Sequence, residues 1–360
     1  MIYFDYAATS LKRRDVFEKV LENFELFDGN PDSLHKYGRD AKKILNESRD
    51  SIADSINANP KDIVFTSGAS ESNNTIISNF RSQKIITTQI EHPSVLNSIK
   101  SDDVIYLKVG KNGSIDFDEF KKAYNPDVKL VSIMYVNNET GVIQPVKEIG
   151  NFLKDTDTWF HVDAVQAYSH IDIDVEKLNC DSLSISAHKI GAINGFGILY
   201  SRKKFDNLIY GGEQESYRRA GTSFVIGAYT MKESFKKAIN ERDKISEIKK
   251  YFVNRLKASK IQYEINGDIE NETDHIINLY LPFVKSDFLL TYLDINKIAA
   301  SAGSACSAGS LTPSHVITSI YDTNRSMHSI RFSFGFSNSK EDIDKLIDIL
   351  TKLYDRRSND

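Results

Sequence analysis

Short apolar runs rich in β-branched residues alternate with helical patterns through the first two thirds of the chain. Runs at 63–66, 84–88, 104–107 and 130–136 each precede a helical stretch, at 72–80, 93–100, 117–124 and 145–153, and further runs follow at 160–163, 182–186 and 197–200. Apolar strands set between helices predict an α/β fold with a mostly parallel sheet of seven strands, covered on both faces. An amphipathic helix is predicted over 39–57, where Ile44, Leu45, Ile52 and Ile56 share one stripe. A charged helix is predicted over 226–257, and its stretch 241–250 reads as a solvated face. The last third mixes strand patterns at 261–264, 275–280 and 330–333 with a closing helix over 341–354, the pattern of a small α+β unit. The change of pattern near Ile245, in a chain of 360 residues, predicts a large domain over 13–245 and a small one formed by 1–12 with 246–360.

In open parallel sheets, ligands bind beyond the carboxyl ends of the strands. Polar residues fall there repeatedly: Ser70, His92, Asn138, Asp163 and Lys189 each follow or close a predicted strand. One such residue could be chance, whereas five at equivalent strand ends point to a site. Lys189 closes the run Ser186-Ala187-His188-Lys189, and Asp163 lies at the tip of an earlier strand. A lysine and an aspartate so placed are what pyridoxal phosphate chemistry requires. The amine holds the cofactor aldehyde covalently, and the carboxylate keeps the pyridine nitrogen protonated so that the ring can accept electrons. Downstream, Ser301-Ala302-Gly303-Ser304-Ala305-Cys306 sets a lone cysteine in a loop of small residues. An electron sink together with a thiol on a mobile loop narrows the chemistry to a short list.

Composition refines this picture in three ways. A net charge of −4, with 27% charged residues, argues against a general polyphosphate-binding surface and hence against direct nucleic-acid binding. Two cysteines, Cys180 and Cys306, make neither a disulfide framework nor the paired spacing of a zinc site, so no metal is expected; Cys180 reads as a buried thiol. No apolar run reaches the length of a membrane span, and the first nine residues lack a signal-peptide pattern, so a cytoplasmic location without membrane attachment is expected.

Several motifs admit a bland reading beside a functional one. The run from Thr66 to Asn74 places small residues between a strand and a helix, where backbone N–H groups and the helix dipole favour an anion; alone it is also an ordinary helix cap. His92, in Glu91-His92-Pro93, is either a capping residue or a ring stacked on the cofactor and able to move protons. Arg331 is either a surface residue or, if buried, a bidentate clamp for a carboxylate. His161, His170 and His275 are read as packing residues.

Taken together, these segments resemble the cysteine desulfurases of the class V aminotransferase family of fold-type I pyridoxal phosphate enzymes. The likeness runs in family order from Phe4-Asp5-Tyr6-Ala7-Ala8-Thr9 and Gly29-Asn30-Pro31 through Ser67-Gly68-Ala69-Ser70-Glu71, Glu91-His92, Asn137-Asn138-Glu139-Thr140-Gly141 and Asp163-Ala164-Val165-Gln166. It continues through Ser186-Ala187-His188-Lys189, Arg219-Ala220-Gly221-Thr222, Gly303-Ser304-Ala305-Cys306 and Ser329-Ile330-Arg331-Phe332-Ser333. The stretch from Cys306 to Pro313-Ser314 resembles the long, mobile loop of the group that includes the nitrogen-fixation and iron–sulfur housekeeping enzymes. The resemblance implies that Ala69, Ser70, Ser186 and His188 hold the cofactor phosphate, with Thr222 arriving from the second subunit of a homodimer. It implies that Asp163 pairs with the pyridine nitrogen, Gln166 bonds the ring hydroxyl oxygen, His92 stacks on the ring, and Asn138 and Arg331 hold the substrate carboxylate. Two positions depart from the family pattern. Ser70 stands where threonine is usual, and Ala192-Ile193-Asn194-Gly195 replaces a Gly-Pro-Lys-Gly turn, which leaves that loop's shape open.

The activity so implied converts L-cysteine to L-alanine and leaves sulfur on Cys306 as a persulfide, for transfer to an acceptor protein that serves iron–sulfur cluster assembly or tRNA thiolation. The six residues after Tyr354 lead to the expectation of a weaker or different contact with an iron–sulfur scaffold. Three other readings fit many of the same residues: a selenocysteine lyase, another class V enzyme such as a small-amino-acid aminotransferase, and a partner-binding protein that has kept only the fold.

Overall fold

A computed structural model describes residues 1–303 and 312–358. Seven strands form the central sheet in the order Ile63–Thr66, Gly197–Ser201, Ser182–Ser186, Trp159–Asp163, Val128–Met134, Lys84–Thr88 and Val104–Leu107. Five of them run parallel, from Ser182–Ser186 outward to Val104–Leu107, while Gly197–Ser201 is antiparallel to both its neighbours. The inner strands are buried along their length because helices cover both faces, whereas the edge strand Val104–Leu107 leaves Tyr106 exposed. Helices Lys36–Asp54 and Val225–Ile239 join one large buried cluster with Ile86, Val131, Val162 and Ile185, and Ala69–Ile77 covers the other face through Ile76 and Ile77 against Val64, Ile85 and Leu130.

A separate buried cluster surrounds the three-stranded sheet Ser329–Ser333, Ile276–Tyr280, Glu264–Ile265. It draws in Phe4 near the N-terminus, the helices Arg242–Lys257 and Ser286–Ile295, and the closing helix Lys340–Ser358. Phe4 belongs there because the first strand, Ile2–Tyr3, pairs in parallel with Ile298–Ala299.

The structure differs from the sequence reading in several places, among them the helix expected over 93–100, which stops at Leu96, and the helix expected over 39–57, which spans Lys36–Asp54. The helix predicted over 226–257 is two helices, Val225–Ile239 and Arg242–Lys257. At the break Asn240 folds its amide back onto the Lys236 carbonyl, and Glu241 turns to meet Arg13 in a two-point pair at 2.8 and 2.7 Å. The stretch 241–250 is not wholly a solvated face: Ile245, Ile248 and Lys249 are buried, and Lys249 meets the buried Glu272 at 2.6 Å. The strand expected at 261–264 is confined to Glu264–Ile265. The closing helix continues past Tyr354 to Ser358. Among the described residues no helix is long and apolar enough to cross a membrane.

Candidate active site

The polar strand-end residues converge. Ser70, His92, Asn138, Asp163 and Lys189 all line one open cavity of ≈ 380 Å³, together with Ala69, Gln166, Ser186, His188 and Arg331. Thr222 is exposed and is not among the residues lining it. Cys306 lies outside the described residues.

Each wall follows from local structure. The strand Ile63–Thr66 turns through Gly68, at φ 150°, into the helix Ala69–Ile77, whose first N–H groups open on the cavity. Small residues are needed here because a Cβ on Gly197, in the neighbouring strand, would lie 2.6 Å from the Gly68 Cα. Ser186 ends the strand Ser182–Ser186 and His188 follows it, with its Nδ1 3.1 Å from the Thr9 hydroxyl. Burial, reinforced by Lys189, Lys12 and His92, pushes His188 down to about 3, so its ring is neutral at ordinary pH.

Asp163 ends the strand Trp159–Asp163, and a chain of side chains orients it. It accepts from Asn73 Nδ2 at 2.8 Å and from the Val165 N–H at 3.0 Å. Because Asn73 spends its amide hydrogens on Asp163 and Ser94, its oxygen must accept, here from His161 Nε2 at 2.9 Å. His161 Nδ1 then accepts from Ser182, whose oxygen receives the Trp159 N–H at 2.7 Å. Burial holds His161 at about 3, neutral, as this arrangement requires. His161 is therefore more than a packing residue, since it fixes the Asn73 amide that aims Asp163. Spacing alone did not reveal Asn73, Ser94 or this use of His161.

His92 caps a helix and also lines the cavity. Its Nδ1 accepts from the Ser94 N–H at 3.1 Å and so caps the helix Pro93–Leu96, while its ring lines the cavity. Burial lowers its pKa below 6.5, Lys189 and His315 add to that, and Asp163 opposes it. The neutral ring carries its proton on Nε2 because Nδ1 is an acceptor.

Lys189 sits in the short helical turn Ala187–Ile190 and donates to the carbonyls of Ala7 and Ala8 at 2.6 and 2.8 Å. The N-terminal segment thus forms a cavity wall, a role that only its place among the family motifs signalled. Arg331 is 1% exposed, so it is not a surface residue; it donates to the Asn138 carbonyl at 2.7 Å and pairs with Asp5 at 2.9 Å. The loop Ala192-Ile193-Asn194-Gly195 takes its shape from Lys12, which donates to the Ala192 carbonyl at 2.8 Å and to Asn194 Oδ1 at 2.6 Å. Cys180 is fully buried, and burial pushes its thiol up to about 12, which makes it inert. No cluster able to hold a metal ion occurs among the described residues.

The donor set matches one group. A primary amine, an oriented carboxylate, a flat imidazole wall and an N-terminal helix turn around one cavity fit pyridoxal phosphate: an aldehyde, a pyridine nitrogen, an aromatic face and a phosphate. Fold and site together define a pyridoxal phosphate-dependent enzyme. The chain belongs to the aminotransferase class-V family, whose profile matches residues 2–346. It is 38% identical over 373 residues to the cysteine desulfurase IscS of Dictyoglomus turgidum, covering 99% of this chain and 95% of that one. A NifS-like protein of known structure superposes with a TM-score of 0.90 at 30% identity, over 99% of both chains. SspA, solved in complex with cysteine, superposes with a TM-score of 0.80 at 32% identity, over 93% of this chain and 99% of that one.

Proposed function

We propose that this chain is a cysteine desulfurase that takes L-cysteine to L-alanine and passes the sulfur through Cys306 to an acceptor protein. One observation carries the reading: in a class V chain, Lys189, Asp163 and the buried Arg331 line the same cavity. Lys189 would hold pyridoxal phosphate through its ε-amine, with the phosphate at Ala69, Ser70, Ser186 and His188 and Asp163 against the pyridine nitrogen. The bound cofactor supplies an electron sink for charge released at the substrate Cα. Arg331 and Asn138 receive the substrate carboxylate, and Arg331 is held for this by Asp5 and the Asn138 carbonyl. The Lys189 amine would also be the group that moves the proton at the substrate Cα. His92, neutral with its proton on Nε2, serves the thiol end of the substrate. The Cys306 thiolate attacks the substrate sulfur; the carbon–sulfur bond breaks, a sulfur–sulfur bond forms, and the carbon gains a proton to become alanine.

The working unit is proposed to be a homodimer. Leu34, Tyr37, Tyr210 and Tyr217 are exposed apolar residues, and Gln214 donates to Asp32 at 3.2 Å, which ties the two stretches that carry them. Glu215, Ser216 and Tyr217 hold positive φ values, a strained stretch fixed by the two-point pair of Arg49 with Glu215 at 2.7 Å. This face would carry Thr222 to the phosphate of the partner. The larger unit is proposed as 13–245 and the smaller as 1–12 with 246–360; the two separate buried clusters support a division into two units, while Ile245, in the helix Arg242–Lys257, packs with the smaller one. The sulfur acceptor is proposed to be an iron–sulfur scaffold or a tRNA-thiolating protein.

The test is direct. Purified protein loaded with pyridoxal phosphate and given L-cysteine with a thiol reductant should release alanine and sulfide in equal amounts. Alanine formed only from selenocysteine would favour the lyase, and a keto acid product without sulfide would favour an aminotransferase. Asp163→Ala should lower kcat by about a hundredfold or more and weaken cofactor binding, since a pyridine nitrogen without its carboxylate is a poor electron sink. Turnover near the parental rate would refute that role.

A further inference from the structure

Behind the cavity, His275 and His170 stack with ring centres 3.4 Å apart and planes 4° apart, and the mechanism above uses neither. His275 Nε2 lies 3.2 Å from Gln166 Oε1, and Gln166 Nε2 donates to the Ala7 carbonyl at 2.9 Å. A carboxamide oxygen can only accept, so His275 must present an N–H at Nε2. Its Nδ1 is buried and has no hydrogen-bond partner among the described residues, so a proton there would be a stranded donor. The single proton of a neutral ring therefore belongs on Nε2. The surroundings keep the ring neutral: burial first, then His170, Lys249, Arg331 and Lys189, with Arg242 and Arg13 acting on His170 in turn.

A carboxamide has two orientations of nearly equal shape and opposite polarity. With its oxygen held by His275 and one hydrogen on Ala7, Gln166 keeps an N–H for the cavity that it lines. We propose that His275, stacked on His170, is a positioning residue that fixes the Gln166 amide so that it offers the cofactor's ring oxygen an N–H donor and never its carbonyl. The inference rests on the assignment of Gln166 to that oxygen. The donor stabilises negative charge on the ring oxygen, whereas the reversed amide would set oxygen against oxygen. His275 thus acts on the cofactor through Gln166, without touching it.

The experiment uses apoprotein titrated with pyridoxal phosphate. It reads the dissociation constant and the pH midpoint of the bound cofactor's visible absorbance. His275→Phe keeps a flat ring against His170 but carries no N–H. It is expected to raise the dissociation constant about five- to tenfold and to move the midpoint upward by roughly half a unit to one unit. His275→Gln, which can still present an N–H, should stay within about twofold of the parent. Gln166→Leu should shift both quantities at least as far as His275→Phe, and the double variant should be no worse than Gln166→Leu alone, because the two residues act as one unit. If Gln166→Leu shifts both quantities and His275→Phe neither, the positioning role falls while the Gln166 assignment stands. If neither variant shifts them, the Gln166 assignment falls and takes this inference with it. A His275→Gln variant as weak as His275→Phe, or fully additive effects in the double variant, would show that ring shape rather than the N–H matters and would also overturn it. Should His275→Phe fail to fold, His275→Leu makes the same comparison.

Discussion

Lys189→Ala is expected to give a folded protein that borohydride cannot fix to pyridoxal phosphate and whose desulfuration falls by about 10³-fold or more. The size of the effect follows from the number of duties the one amine carries. It anchors the cofactor aldehyde, and when displaced it is the group placed to move the proton at Cα. The described lining residues offer no second lysine to the cavity, so no neighbouring amine can take over. Lys189 donates to the carbonyls of Ala7 and Ala8, so alanine removes local hydrogen bonds but no packed core, and the fold should survive. Cofactor retained through the phosphate subsite would still wash out on dialysis. Mass spectrometry after borohydride treatment reads the result, and a cofactor adduct on the variant would show that the anchor lies elsewhere.

Cys306→Ala is expected to separate binding from sulfur transfer. The proposed cofactor contacts, Lys189, Asp163, Gln166, Ser70, Ser186 and His188, all lie among the described lining residues and are left in place, so the visible spectrum should still respond to added L-cysteine. Sulfide under reductant and persulfide on the protein should fall to the uncatalysed background, because the atom that accepts the sulfur is gone. Cys180→Ala is the matching control. Cys180 is buried with its thiol raised to about 12, so its loss should leave sulfur release largely intact. Unchanged sulfide release from Cys306→Ala, or a comparable loss from Cys180→Ala, would reverse the assignment of the two thiols.

The fold was legible wherever burial left a period in the sequence. The inner parallel strands are covered on both faces, so their sequences are rich in apolar residues, and Asp163 stood out as an acid at the end of one. The two-residue pairing of Ile2–Tyr3 with Ile298–Ala299 was not legible, because elements that short carry no period and their register depends on residues about 300 positions apart. Nor was the break at Asn240–Glu241: a charge-rich helix looks the same on both sides of a kink until a partner such as Arg13 supplies the reason for it.

The site divides in the same way. Sequence by itself determined which chemical groups are available, a lysine and an aspartate at strand ends, a small-residue turn before a helix and a solitary thiol, because parallel topology sends every strand end to one edge of the sheet. It also fixed the family, since those groups occur in a single order along almost the whole chain. Only the tertiary structure decided how the groups are held. The line Trp159, Ser182, His161, Asn73 to Asp163, the buried seat of Arg331 between Asp5 and Asn138, and the contact of His275 with Gln166 join residues from separate elements. A hydrogen bond depends on distance and direction in space, and a side chain at a given position in the sequence has neither until the chain around it has packed.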